Sequence, residues 1–260
     1  MILIDQYAYI NRLNHVHPFE KITFSLFFLL FSIITKDVCI SLITFIVMSA
    51  FILSAAKIPF SIYCKLLLLP GFFLLTSITS IIFSFTTTKP LLEYYAIWQI
   101  SSLYIFIGKT SIVTAYHLFF SVLASISCLY FLTLTTPISA ITYTMRCLKM
   151  PLIFIELCEL TYRFIFVFLA SMQQIYEAQQ SRLGYQRNTL WLNSVALLIT
   201  ALFRDVFWRS KKLNEAMISR CYNEEISNNY VTYTFNKHNW IIIIISMIGI
   251  ITIYIGRKLI

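Results

Sequence analysis

Residues 189–220 read TLWLNSVALLITALFRDVFWRSKKLNEAMISR. At helical spacing Ile199, Leu202, Val206, Leu213 and Met217 fall on one side, with Arg204, Lys211, Lys212 and Glu215 on the other. Asp205 can pair with Arg209 four residues on. Such a helix is roughly 48 Å long at 1.5 Å per residue, longer than a bilayer core is thick. Yet its charges fall where a span needs carbon against lipid. One central Arg or Lys costs about 2.5–3.5 kcal/mol on insertion, and this segment has several. It therefore reads as a helix along the membrane's inner face or beneath it, not as an ordinary span.

The surrounding chain is far more apolar. Of its 260 residues 59% are hydrophobic and 12% charged, against roughly 25% charged in soluble domains. Apolar runs fall at 22–35, 38–56, 66–85, 111–134 and 240–256, and roughly 20 helical residues cross a hydrocarbon core. The expected class is all-α: a polytopic membrane protein with about five transmembrane helices and a cytoplasmic domain of long amphipathic helices. The expected division is an N-terminal bundle over 1–135, a cytoplasmic domain over 136–223, and a linker with a last span over 224–260. The polar start, with Asp5, Arg12, Glu20 and Lys21 before the first run, is unlike a cleaved leader. The segment YYAIWQISSLYIFIG (94–108) is too short and polar to span, and reads as re-entrant or as lying at the outer surface.

Loop charges orient the chain. Half of its 20 lysines and arginines lie between residues 138 and 222, which puts that region in the cytoplasm. The same parity leaves Arg257 and Lys258 outside. A formal charge of +9 is then an orienting charge, not a nucleic-acid footprint. Six scattered cysteines without a Cys-x-x-Cys pair give neither a disulfide framework nor a thiolate metal site.

Pro137 opens a short amphipathic segment, and Pro151 starts a long run to about Leu183. That run ends Ser181-Arg182-Leu183-Gly184, with Gly184 expected as the left-handed residue that closes the helix. The second run ends Ser219-Arg220-Cys221, with Asn223 a poorer closing residue. One arginine at a helix C-terminus complements the macrodipole. Two, each ending a long cytoplasmic helix, suit docking into acidic clefts of a partner.

Three blocks carry a resemblance: IDQYAYINRLNHVHPFEK (4–21), PLIFIELCELTYRFIFVFLASMQQIYEAQQSRLGY (151–185) and FRDVFWRSKKLNEAMISRCYN (203–223). Together they resemble the transmembrane T component of energy-coupling factor (ECF) transporters, in its cobalt/nickel-type CbiQ branch. The resemblance implies a multi-pass, non-enzymatic subunit of the bacterial cytoplasmic membrane. Its partners would be two cytoplasmic ABC ATPase subunits, a substrate-binding membrane subunit and membrane lipid, with no nucleic acid. It implies no cofactor on this chain; ATP and magnesium belong to the ATPases. Arg182 and Arg220 match the two arginines that end the family's coupling helices and dock into grooves of the ATPases. Ser181 and Ser219 stand where the family has alanine, and Leu183 and Cys221 where it has glycine, so Cys221 would have to adopt a left-handed backbone.

Other features read more plainly. His15 and His17, two apart with no third ligand, favour an interfacial role over a metal site. Glu159 and Arg163 are expected as an i,i+4 ion pair supporting the long helix, as are Asp205 and Arg209 on the next. No phosphate-binding G-x-x-x-x-G-K-[ST] loop occurs among five scattered glycines, and no hydrolase block appears. Two alternatives remain at this stage: a vitamin-type ECF subunit, for example for biotin, and a membrane enzyme using Glu156, Glu159 and His117. A self-contained transporter predicts an internal repeat, which the apolar pattern lacks.

Overall fold

A computed structural model describes residues 2–35, 37–86, 94–100, 103–222, 233 and 237–259. Contacts divide the chain into two units, Met1–Pro137 with Thr232–Ile260, and Ile138–Val231.

The first unit holds α1 (Ile2–Ile10), α2 (Pro18–Thr35), α3 (Val38–Ala50), α4 (Phe60–Ile82), α5 (Lys109–Thr135) and, from the far end of the chain, α9 (Lys237–Leu259). A π turn over Phe51–Ala55 extends α3, and Lys57 at φ 54° with Pro59 turns the chain into α4. α5 packs against α1, α2, α3 and α4. Its buried face includes Ala115, Ala124, Ser127 and Cys128, small residues that let helices approach where lipid supplies no hydrophobic drive, together with Phe131 and Leu134. Phe24 of α2 sits 5.7 Å from Phe131 and 5.2 Å from Phe51, centroid to centroid. Ser25 Oγ donates to the Cys128 carbonyl at 2.8 Å, and the Ser32 and Ser41 hydroxyls meet at 3.2 Å. Leu68, Leu69, Phe72 and Phe73 of α4 are at least 68% exposed. Polar contacts inside and bulky carbon outside are what a bilayer selects.

Five helices match the five expected runs in number and order. A sixth, Thr189–Ser219, is also long and apolar enough to cross by length and composition, because its charges gather at 204–215 and leave residues 189–203 without any. α9 runs alongside α2 in the same direction. Asn239 meets Glu20 at one end; at the other Tyr254 packs on Phe31, and Arg257 shares a polar recess with Thr35 and Asp37. Arg257, expected outside with Lys258, thus lies beside Asp37.

The segment 94–108 departs from a purely helical reading. Strands β1 (Phe83–Thr86), β2 (Tyr94–Ile100) and β3 (Leu103–Gly108) form an antiparallel sheet in the order β1-β3-β2. Phe83 pairs with Ile107 and Ile100 with Leu103, with an irregularity at Tyr94–Ala96. Aromatic and β-branched residues in short runs favour strand pairing, and the ladder satisfies the backbone groups of the central strand β3 on both sides.

The block 4–21 folds into a buried clasp. Asn11 Nδ2 donates to the carbonyls of Ala8 (2.7 Å) and Leu134 (3.1 Å), and Lys21 Nζ to those of Leu13 (2.8 Å) and Thr135 (2.9 Å). Leu134 and Thr135 end α5, so both side chains satisfy carbonyls that the helix itself leaves without partners. Glu20 Oε2 accepts from Asn239 Nδ2 at 3.1 Å. His17 Nδ1 accepts from the Phe19 amide at 3.2 Å, capping α2. That bond needs a neutral Nδ1, and burial pushes the imidazole pKa down. The His15 side chain lies outside the described residues.

The second unit contains α6 (Ile138–Cys147), α7 (Leu152–Ser181) and α8 (Asn188–Ser219), with α7 packed on both neighbours.

Candidate functional site

The site is the α7–α8 hairpin and its two arginine tips. Three contacts spread along the helices define the pairing. Ser194 Oγ donates to the Gly184 carbonyl at 2.7 Å, Arg209 Nη2 to Ser171 Oγ at 3.1 Å, and the Tyr222 hydroxyl to Glu156 Oε2 at 2.5 Å. Residues climb along α8 as they descend along α7, so the helices are antiparallel. On α8, Leu202, Val206, Leu213 and Met217 are partly covered, while Arg204, Lys211, Lys212 and Glu215 are exposed. Ile199 departs from the expected stripe and is 60% exposed.

Both helices end with one geometry. Arg182 (φ −94°, ψ 15°) and Arg220 (φ −99°, ψ 17°) are the C-caps. The next residues, Leu183 (φ 59°) and Cys221 (φ 55°), are left-handed. The Leu183 amide donates to the Gln180 carbonyl at 2.9 Å and the Gly184 amide to that of Gln179 at 3.0 Å. In the second tip Cys221 donates to Ile218 at 3.0 Å and Tyr222 to Met217 at 3.1 Å. Both are Schellman endings. Ser181 Oγ donates to the Glu177 carbonyl at 2.9 Å and Ser219 Oγ to that of Glu215 at 2.8 Å, so each serine turns back on its own helix and leaves its arginine as the projecting group. Arg182 and Arg220 are exposed, and neither guanidinium has a hydrogen bond or ion pair among the described residues.

One expectation is corrected here. Gly184 does not supply the left-handed residue; Leu183 does. Glycine is required at 184 by crowding: a Cβ there would lie 2.6 Å from Ser194 Oγ and 3.1 Å from the Gln179 carbonyl oxygen. In the second tip Cys221 takes the left-handed backbone without glycine, and Asn223 lies outside the described residues. A non-glycine residue in this region costs about 1–2 kcal/mol. Leu183→Gly and Cys221→Gly should each stabilise the unit by about 0.5–1 kcal/mol, the relief being partly offset by glycine's looser unfolded chain. A rise in the melting temperature of each variant in detergent is the expected result; a fall would mean that the tips are not held as described.

The carboxylates of α7 also rearrange the expectation. Glu156 is buried and bonded to Tyr222, which ties the second tip to the start of α7. Arg163 is exposed and forms no ion pair with Glu159 among the described residues. Asp205 and Arg209 do pair, Nε to Oδ2 at 2.9 Å, and that bond holds the Asp205 carboxyl below its ordinary range. At a half-exposed site the pair is worth little by itself; its use is to aim Arg209 at Ser171. His117 lies on α5, in the other unit from Glu156 and Glu159.

Reading for charge alone overlooks the residues that hold the tips: Tyr185, Ser194 and Tyr222. Tyr185 donates to Gln179 Oε1 at 2.6 Å and packs on Tyr176 at 4.8 Å. The visible signal was a tyrosine just after each arginine, in Arg-Leu-Gly-Tyr and Arg-Cys-Tyr. From Glu156 beside the second tip to Arg182 at the first is about 26 helical residues, or about 39 Å along the hairpin. Two like-built guanidinium tips thus stand at opposite ends of one antiparallel pair.

Comparison with known proteins identifies relatives of the chain. The CbiQ cobalt transport protein family model matches residues 11–231. An uncharacterized protein of Methanocaldococcus jannaschii is 33% identical over 86% of this chain and 82% of its own. A putative fused cobalt transport protein, CbiMQ, of Methanocorpusculum labreanum is 30% identical over 85% of this chain but 36% of its own length. The cobalt transport protein CbiQ of Salmonella typhimurium is 26% identical over 84% of this chain and 96% of its own.

Proposed function

The chain belongs to the CbiQ family of cobalt transport proteins, and from that premise we propose that it is the membrane-embedded coupling subunit of an ATP-driven cobalt importer. In this reading two separate ATPase subunits bind and hydrolyse ATP, and each receives one arginine tip. The hairpin passes their motion to a substrate-binding membrane subunit that carries the cobalt ion.

The supporting observation is the pair of matched tips, about 39 Å apart on one antiparallel hairpin. A single acidic cleft cannot receive both. Two related clefts on two like subunits can, because an antiparallel pair presents its two C-termini as an approximate two-fold. A charge-assisted hydrogen bond is worth roughly 1.5–3 kcal/mol, enough to hold a tip while the partner moves. Pulling the two clefts together or apart then loads the hairpin at both ends and biases it between discrete arrangements. The chain itself has no phosphate-binding loop, so nucleotide chemistry falls to the partners. The longer fused relative supports a further membrane part working beside this one.

Co-purification from a host carrying the whole transport system tests the reading. The tagged chain should bring down two copies of nucleotide-binding subunit, and its loss should abolish cobalt accumulation while biotin accumulation stands. Cobalt uptake that survives its loss, or a chain that purifies without ATPases, overturns the proposal.

A further inference from the structure

α8 carries a second concentration of charge, well inside the arginine tips. Between α7 and α8 lies a cavity of about 460 Å³, lined among others by Ser171, Arg204, Asp205, Trp208, Arg209 and Lys212. Arg204, Trp208 and Lys212 recur every four residues and so border it along one edge of the helix. The single carboxylate is already used: Asp205 accepts from Arg209 at 2.9 Å, and Arg209 also reaches Ser171. The Arg204 and Lys212 side chains have no hydrogen bond or ion pair among the described residues. The Lys212 and Lys211 ammonium groups stand 5.6 and 6.0 Å from the Trp208 ring centre, within cation–π range. The cavity is therefore cationic, with an exposed aromatic at its rim.

Beside that edge runs a stripe that is not polar. Leu192, Ile199, Phe203 and Phe207 recur at i, i+7, i+11 and i+15, and each is at least 60% exposed. A basic edge, a tryptophan and a bare apolar stripe on one helix are the features of a helix lying in the headgroup layer. The cations offer a phosphate its donors, and the neighbouring phenylalanines offer its acyl chains a surface. An acidic protein cleft would satisfy the first and leave the second bare.

We propose that the α7–α8 cavity binds the phosphate headgroup of an anionic phospholipid, with Arg204 and Lys212 as its ligands, Arg209 held beside them by Asp205 and Ser171, and Trp208 at the acyl boundary. The site is separate from the arginine tips, and it stands whether or not those tips engage ATPases.

The test uses the full chain in phosphatidylcholine vesicles containing phosphatidylglycerol, with bromine on the acyl chains of one lipid or the other at matched mole fraction. The Trp208 signal is the difference between the parent and Trp208→Phe. Brominated phosphatidylglycerol should quench Trp208 at a roughly 25-fold lower mole fraction than brominated phosphatidylcholine, since each of two cations near the surface contributes about fivefold. Arg204→Gln alone should therefore lower the preference about fivefold, and Arg204→Gln with Lys212→Gln should remove it; both side chains are exposed, and neither supports the helix pair. Raising the salt should weaken the preference. Equal quenching by the two lipids in the parent overturns the proposal, as does a preference unchanged in the double variant. Relief of quenching by millimolar inorganic phosphate would assign the cavity to a soluble anion instead of a lipid.

Discussion

Arg182→Ala combined with Arg220→Ala is expected to leave the protein inserted and folded while releasing the ATPase subunits and abolishing cobalt uptake. Neither guanidinium has a partner within the described chain, so removing both should not disturb the hairpin, and the melting temperature in detergent should match that of the parent. At roughly 1.5–3 kcal/mol for each charge-assisted contact, the pair should weaken association by about 3–6 kcal/mol, or roughly 10²- to 10⁴-fold. Each single variant should retain partial association through the other tip. Arginine-to-lysine changes should fall between, since lysine keeps the charge but lacks the planar fork. Undiminished recovery of ATPases with the double variant would remove the tips from the account.

The tips also mark the boundary of what could be read from residues alone. Hydropathy and period locate the five apolar runs and the length of α8, because both follow from where carbon and charge recur along a helix. The i,i+4 pair of Asp205 and Arg209 is equally local, and it forms. What depends on a second element does not show. Tyr222 reaches Glu156 across 66 positions, and nothing in either neighbourhood names the other. Gly184 looked like the left-handed residue because glycine usually takes that role; its actual constraint is Ser194, ten residues away on the next helix. The sheet at 83–108 was obscured by reading a hydrophobic stretch only against the length of a bilayer. The Glu159–Arg163 pair failed for the reverse reason: correct spacing permits a contact and does not require it.

The N-terminal clasp supplies the other large effect. Lys21 is 4% exposed and Glu20, its neighbour, 1%, at the foot of a helix that enters lipid. Lys21→Met keeps length and apolar contact but removes the charge and three donors. It would strand the Leu13 and Thr135 carbonyls, each at about 1–3 kcal/mol. It would also leave a buried carboxylate whose Oε1 has no hydrogen-bond partner among the described residues. The carboxylate would also lose the field of the neighbouring ammonium, with which it makes no direct ion pair among the described residues, so the variant should melt well below the parent in detergent and insert in lower yield. Glu20→Gln with Lys21→Met separates the two causes, because glutamine can still accept from Asn239 while carrying no charge. If the stranded carboxylate dominates, the double variant should recover most of the stability; if the stranded carbonyls at the end of α5 dominate, it should recover little. A Lys21→Met protein as stable as the parent would contradict both, and with them the assignment of the block 4–21 as the joint that holds α2, α5 and α9 together.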